Sequence, residues 1–241
     1  MDEKTFDRVE KKFLITKEQK EALMAVIDEN MKHDGYFHSG VYNIYFDTDN
    51  YDFIIQSIDH PVFKEKLRVR SYEGYDKVFF EIKTKMLGKD YNVGYKRRVL
   101  VTTKDYEEFV KKKVDFITIT KRKIELPSDL QIAREIEYFI NNFNLKPKIL
   151  VYYNRESFKG ENSLRITFDT DLKYRNHNLK FTSNAKDRRA LDGDKNIIME
   201  IKAQGSYPMW LVKALSKEHI YPQRFSKIGK IYELLRKEQN V

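Results

Sequence analysis

No cysteine occurs anywhere in the 241 residues. That excludes disulfides, thiolate nucleophiles and zinc-ribbon sites. The five histidines are scattered without ligand spacing, so a metal would be held mainly by oxygen, which favours magnesium, manganese or calcium. Long hydrophobic runs are missing too: no stretch approaches the roughly 20 apolar residues that span a bilayer. The opening Met-Asp-Glu-Lys lacks the charged-then-apolar layout of a signal peptide. The expectation is a cytoplasmic chain without a membrane segment. Low-complexity linkers, internal repeats and breaks in composition are absent as well, so residues 1–241 are expected to form a single domain.

What is present is charge and aromatic bulk. Charged residues make up 34% of the chain and leave a formal net charge of +9. A balance of that sign points to an anionic partner: nucleic acid, an anionic membrane or a phosphorylated small molecule. Sign alone does not separate the three. The 16 Tyr and 16 Phe supply core material that suits strands.

Along the chain, Val9–Ile15 reads as a short strand. Thr16 with Gln19 has capping-box spacing, and Leu23, Met24, Ile27 and Met31 follow at helical intervals. Gly40–Asp47, Phe63–Tyr72, Lys77–Lys85 and Tyr95–Thr102 read as strands, with a hairpin around Glu73-Gly74. A short helix is expected over 103–114. Another is expected from the Ser128/Gln131 capping pair to about Asn144. Ile149–Phe158, Leu164–Asp171 and Asn196–Gln204 are further strands, and Met209–His219 and Ser226–Lys237 are closing helices. Strands joined by hairpin-length turns predict an α+β fold, a largely antiparallel sheet or barrel with peripheral helices.

The strands share one unusual feature. In Lys64-Glu-Lys-Leu-Arg-Val-Arg-Ser-Tyr72, alternation puts Lys64, Lys66, Arg68 and Arg70 on one face and Leu67 and Val69 on the other. The pattern recurs with Arg8, Glu10 and Lys12, and with Glu81, Lys83 and Lys85. It returns with Lys96 and Arg98, Tyr153 and Arg155, Arg165, Thr167 and Asp169, and Glu200 and Lys202. For a single strand, a solvated polar face is the ordinary explanation. Repetition over so many strands favours a closed barrel whose charged face lines the lumen. A lumen rich in Lys and Arg is costly when empty and favourable when a polyanion neutralises it. Nucleic-acid binding is the competing reading, but it prefers basic residues interleaved with aromatics on an open surface. No recognition signature of that class is found, so no nucleic acid is expected as partner.

These segments match a known family. Arg8-Val-Glu10-Lys11-Lys12-Phe13, Tyr45-Phe46-Asp47-Thr48, Lys64–Tyr72 and Phe79–Lys85 carry the likeness. So do Lys96-Arg-Arg98, Tyr152-Tyr-Asn-Arg155, Leu164–Thr170, Met199-Glu-Ile-Lys202 and Phe225-Ser-Lys227. From about Phe6 to Leu235 the chain resembles the vacuolar-transporter-chaperone (VTC) domain, the polyphosphate polymerase branch of the CYTH-like triphosphate tunnel metalloenzymes. The resemblance implies a closed antiparallel eight-stranded β-barrel, or tunnel, gripping triphosphate or polyphosphate. It implies Lys12, Arg68, Arg70, Lys83, Lys96, Tyr153, Arg155, Arg165 and Lys227 as phosphate ligands, with Lys66, Arg98, Lys202 and Ser226 in support. Arg68, Arg70, Lys83, Arg155 and Glu200 are the implied catalytic residues. Glu200 is the implied carboxylate for manganese or magnesium, with Glu10 as a second candidate.

The implied reaction moves the terminal phosphate of ATP onto a growing polyphosphate. Triphosphate or tripolyphosphate hydrolysis and non-catalytic polyphosphate binding are the alternatives. Hydrolytic tunnel enzymes resemble a Glu-x-Glu-x-Lys pattern, whereas Arg8 stands at the first acidic position here. A cation there argues against a second metal and an oriented water. Plainer roles suit other residues: Glu81 offsets neighbouring lysines, Asp47 forms a turn, Asp169 binds metal or bridges an inward Arg, and Trp210 anchors a core. Arg188-Arg189 reads as part of a polar loop.

Overall fold

The computed structural model describes residues 8–59, 62–87, 92–111, 114–121 and 127–239. Its elements follow in order: β1 (Arg8–Ile15), α1 (Lys17–Asn30), β2 (Lys32–Asp47), α2 (Asp52–Ile58), β3 (Phe63–Tyr72), β4 (Lys77–Leu87) and β5 (Asn92–Thr102). Then come α3 (Thr103–Val110), α4 (Phe116–Lys121), α5 (Pro127–Asn142), β6 (Lys146–Lys159), β7 (Arg165–Arg175), β8 (Arg188–Arg189), β9 (Ile197–Gln204), α6 (Met209–Lys217) and α7 (Lys227–Gln239).

Local chemistry explains most of the boundaries. Thr16 caps α1 in a full capping box with Gln19, as its spacing predicts. Gly74 takes φ +72 in the β3–β4 turn, a backbone state glycine adopts without strain. Several expectations need correction. Asp47-Thr48-Asp49-Asn50 does more than turn the chain: Asp47 accepts hydrogen bonds from the backbone N–H groups of Thr48, Phe53 and Ile54, and so starts the unforeseen helix α2. The helix expected over 103–114 is α3, which ends at Val110, and the short helix α4 that follows it was not foreseen. Ser128 lies inside α5, which opens on Pro127, a residue suited to the first helical turn. Arg188-Arg189 is a two-residue strand on β7 rather than plain loop.

Contacts divide the chain into two compact units. The first comprises Met1–Gly40, Tyr153–Lys173 and Arg189–Ser226; the second comprises Val41–Tyr152, Tyr174–Arg188 and Lys227–Val241. Each has its own core. In the first, Phe13 and Ile15 of β1, Ile166 and Phe168 of β7, and Met199 and Ile201 of β9 pack with Leu23 and Ile27 of α1 and Leu211 of α6. Trp210 is partly buried against this cluster. In the second, Leu67, Val69, Phe80, Ile82, Val99 and Val101 pack under Phe116, Ile119, Ala133 and Ile136. In both, the apolar half of each alternating strand lies against helices. Hydrophobic burial therefore decides which face the charges take.

The strands form one largely antiparallel sheet of nine, in the order β1-β9-β7-β6-β2-β3-β4-β5, with β8 on β7. The expected closed eight-stranded ladder is not what the hydrogen bonds make. The path is open, with β1 and β5 at its ends and no pairing between those two among the described residues. Alternation reports which face a side chain takes; it carries no information on whether two distant strand edges meet.

Candidate phosphate-binding site

Antiparallel register turns the alternating charges into grids, because residues directly opposite each other point to the same side of the sheet. In the second unit, three rows cross β3, β4 and β5. Arg70 stands opposite Phe79; Arg68, Glu81 and Arg98 form the next row; Lys66, Lys83 and Lys96 form the third. Tyr45 and Asn43 extend the Arg68 and Arg70 rows onto β2. Three lysines abreast on adjacent strands are a costly arrangement, since like charges directly opposite destabilise a sheet.

Glu81 is the carboxylate at the centre of this grid and is almost wholly buried, at 1% exposure. Its Oε2 accepts from both Nε and Nη2 of Arg68 at 2.7 Å, and its Oε1 meets Lys96 Nζ at 2.7 Å. Burial pushes the carboxyl up, but Arg68, Arg70 and Lys96 outweigh it and hold it down at about 2. The same site lowers the Lys96 ammonium, through partial burial and then the repulsion of Arg70 and Arg68, against the pull of Glu81. Arg70 Nε donates to Asn43 Oδ1 at 2.9 Å, which orients its fork. The Arg98 guanidinium lies 4.8 Å from the centre of the Phe79 ring. Arg97, on the opposite face, pairs with Glu135 of α5 at 2.7 Å.

The first unit carries a second grid on β1, β9 and β7. Glu10, Lys202 and Arg165 form one row, and Lys12, Glu200 and Thr167 form the next. Lys12 Nζ lies 3.6 Å from Glu10 and donates to the Phe225 carbonyl at 3.4 Å. Arg165 bonds Asp34 at 3.0 Å and Ser157 Oγ at 3.1 Å. Asp169, fully buried, receives two bonds from Arg155, Nε to Oδ1 at 2.6 Å and Nη2 to Oδ2 at 2.8 Å. Of the two roles open to Asp169, the bridge to an Arg is the one formed. Burial works against the Arg155 charge, yet Tyr153, Asp169 and Glu200 raise its pKa well above the ordinary value. The guanidinium also sits 5.3 Å from the Tyr153 ring centre.

The expected ligands thus fall into two sets. Lys66, Arg68, Arg70, Lys83, Lys96 and Arg98 belong to the second unit, while Glu10, Lys12, Tyr153, Arg155, Arg165, Glu200 and Lys202 belong to the first. Ser226 ends the first unit and Lys227 opens α7 in the second. The Arg8 side chain lies outside the described ones. Sequence reasoning gave no role to Asn43, Asp34 or Thr167. Thr167 sits on the charged face of its strand with Arg165 and Asp169, and that was its available signal; Asn43 is brought to Arg70 by register alone.

A divalent metal suits the first grid. Glu200 and Glu10 converge on one cation, Lys202 Nζ, at 2.9 and 3.5 Å. No group of three His, Asp or Glu that could hold a metal occurs among the described residues. Two carboxylates are nonetheless the donor set of a magnesium or manganese ion completed by water and phosphate oxygens. Thr167 Oγ1, buried opposite Glu200 and without a hydrogen-bond partner among the described residues, adds a neutral oxygen.

A family model for the VTC domain matches residues 7–236. The chain belongs to the VTC-domain family. This VTC domain is 28% identical over 149 residues to vacuolar transporter chaperone complex subunit 4 of Schizosaccharomyces pombe, covering 56% of the chain and 20% of that protein. The chain therefore spans about a fifth of that relative's length. Among solved structures, a putative adenylyl cyclase from Hippeastrum, described as having a dominant triphosphatase activity, superposes with TM-score 0.54 at 13% identity. The match covers 96% of each chain. A Pyrococcus horikoshii OT3 protein superposes with TM-score 0.50 at 15% identity, over 94% of this chain and 98% of that one. At such identities the likeness is one of fold. No helix among the described residues is long and apolar enough to cross a membrane.

Proposed function

We propose that this VTC domain is a metal-dependent, polyphosphate polymerase-type phosphotransferase, with ATP as donor and a polyphosphate chain as acceptor. The observation that carries the reading is the Lys66–Lys83–Lys96 row beside Arg68 and Arg70. A register that places three ammonium groups abreast suits a ligand bearing closely spaced negative charges. Membership of the VTC family adds support, as does the likeness to a subunit of a vacuolar transporter chaperone complex.

Phosphoryl transfer passes through a loose transition state whose charge resides on oxygens, so positioning and electrostatics carry most of the catalysis. A terminal polyphosphate oxygen attacks the γ-phosphorus of ATP, the β–γ bridging P–O bond breaks, and ADP leaves. The acceptor oxygen is already largely ionised, so no side chain has to remove a proton. In the second unit Arg68 and Arg70 offer planar forks to phosphate oxygens and Lys83 and Lys96 add charge; in the first unit, taken by itself, Lys12 and Arg165 are the corresponding cations. Glu81 and Asn43 hold the two forks in place. Magnesium or manganese held by Glu200 and Glu10 would supply Lewis-acid polarisation of phosphate oxygens.

The test is incubation with ATP and manganese or magnesium, followed by analysis for ADP and a long phosphate polymer. Both products are expected, and both should vanish in Glu200→Gln. Free phosphate without polymer would instead select triphosphate hydrolysis, which the Hippeastrum protein's described activity makes the second reading. Binding without any product in either metal would reduce the chain to a polyphosphate-binding module.

A further inference from the structure

The grid on β3, β4 and β5 continues beyond the residues assigned above. One step past the Lys66–Lys83–Lys96 row, Lys64 stands opposite Lys85, and Gly94 faces Lys85 from β5. Both lysines are half-buried. Rows on one face are two residues apart, so Arg70, Arg68, Lys66 and Lys64 distribute charge over about 20 Å of strand. Charge is uneven along that length. Arg70 is the one cation of its row, and Arg68 and Arg98 flank Glu81. The next row has three lysines, and the last has two. Glu81 is the only carboxylate in these rows of β3, β4 and β5. Positive charge is therefore concentrated at the Lys64 end, away from the carboxylate.

Gly94 leaves that end open. A Cβ there would meet nothing closer than the Thr84 carbonyl oxygen at 3.8 Å, an ordinary contact, so packing does not demand glycine at this position. In this row it puts no side chain opposite Lys85. The last two rows contain no aromatic side chain, so a base would find no ring to stack on. A linear phosphate polymer needs none.

We propose that Lys64 and Lys85 form a further phosphate subsite, one that engages a polyphosphate long enough to extend past the Lys66–Lys83–Lys96 row. It rests on the polyphosphate reading above and adds to it a binding path with a defined end. A ligand as short as tripolyphosphate is satisfied by the Arg68, Arg70, Lys83 and Lys96 rows and does not reach the subsite. Lys64 and Lys85 thereby set preference for chain length, while the Arg68 and Glu81 region serves every phosphate ligand.

The experiment compares the whole chain with the double variant Lys64→Gln/Lys85→Gln, titrated with tripolyphosphate and with long-chain polyphosphate over a range of salt. The variant should lose about tenfold in affinity for the long chain and almost none for tripolyphosphate. Its salt slope for the long chain should fall by about 2, one for each cation–phosphate contact removed. Lys64→Arg/Lys85→Arg, which keeps both charges, should bind the long chain as the parent does. An equal loss for both ligands, or no loss for either, overturns the subsite. The same length-dependent loss on single-stranded RNA of matched charge also overturns it, by showing a general polyanion path. If the parent chain binds neither phosphate ligand, the proposed function itself fails, a result distinct from a parent that binds and a variant that matches it.

Discussion

Glu81 offers the sharpest test of the electrostatic argument. The side chain is buried, ionised and bonded to Arg68 and Lys96. Its carboxyl lies at about 2 in the folded chain against an ordinary value of 4.5. At about 1.4 kcal/mol per pH unit, that gap corresponds to about 3 kcal/mol of stability. The folded value is the lower one, so this contribution is complete above pH 4.5 and drains away as pH falls from there through about 2. Glu81→Gln keeps the shape and removes the charge, leaving two cations beside a neutral amide. The variant should melt roughly 6–12 °C below the parent at pH 7, given about 2–4 °C per kcal/mol for a chain of this size. The difference should shrink as the pH is lowered toward 2. Tripolyphosphate should raise the melting temperature of the variant more than that of the parent, because its charge replaces the missing carboxylate. Thermal melts followed by circular dichroism, with and without ligand, read all three effects. A variant within about 2 °C of the parent at pH 7, or a gap that ignores pH, refutes the reasoning.

Two more residues report on buried charge. Arg155→Ala should cost about 3–5 kcal/mol, because it leaves Asp169 buried without its ion-pair partner; adding Asp169→Leu should recover much of the loss, and denaturant titration of both variants checks it. Arg175, 2% exposed, donates to Asp187 and to the carbonyls of Asn178, Lys180 and Thr182. Arg175→Met should therefore open residues 176–187 to limited proteolysis while the rest of the chain stays resistant, and uniform cleavage would contradict that.

The strands were legible because one physical rule, apolar toward the core and polar away from it, writes itself into a sequence at period two. β3 falls on Phe63–Tyr72 as expected, and the Thr16–Gln19 box caps α1. The helix α2 was not legible, because it is begun by Asp47 accepting bonds from residues as far as Ile54, a pattern that looks like a turn in sequence. Glu81 was read correctly as a neutraliser of cations. Its burial and its pairing with Arg68 in particular were not readable, since both depend on which strand lies beside which.

Charge alternation, the absence of cysteine and the family likeness are properties of the sequence by itself, and they sufficed to expect an α+β chain and to propose phosphate as its ligand. Tertiary structure decided what those charges meet. Register set Lys66, Lys83 and Lys96 abreast, placed Glu200 and Glu10 around Lys202, and turned Arg155 onto Asp169. It also left β1 and β5 as the ends of an open ladder. The physical reason is range. Alternation is a local consequence of strand geometry, whereas the energy of a charge depends on neighbours that only chain pairing brings within a few ångströms.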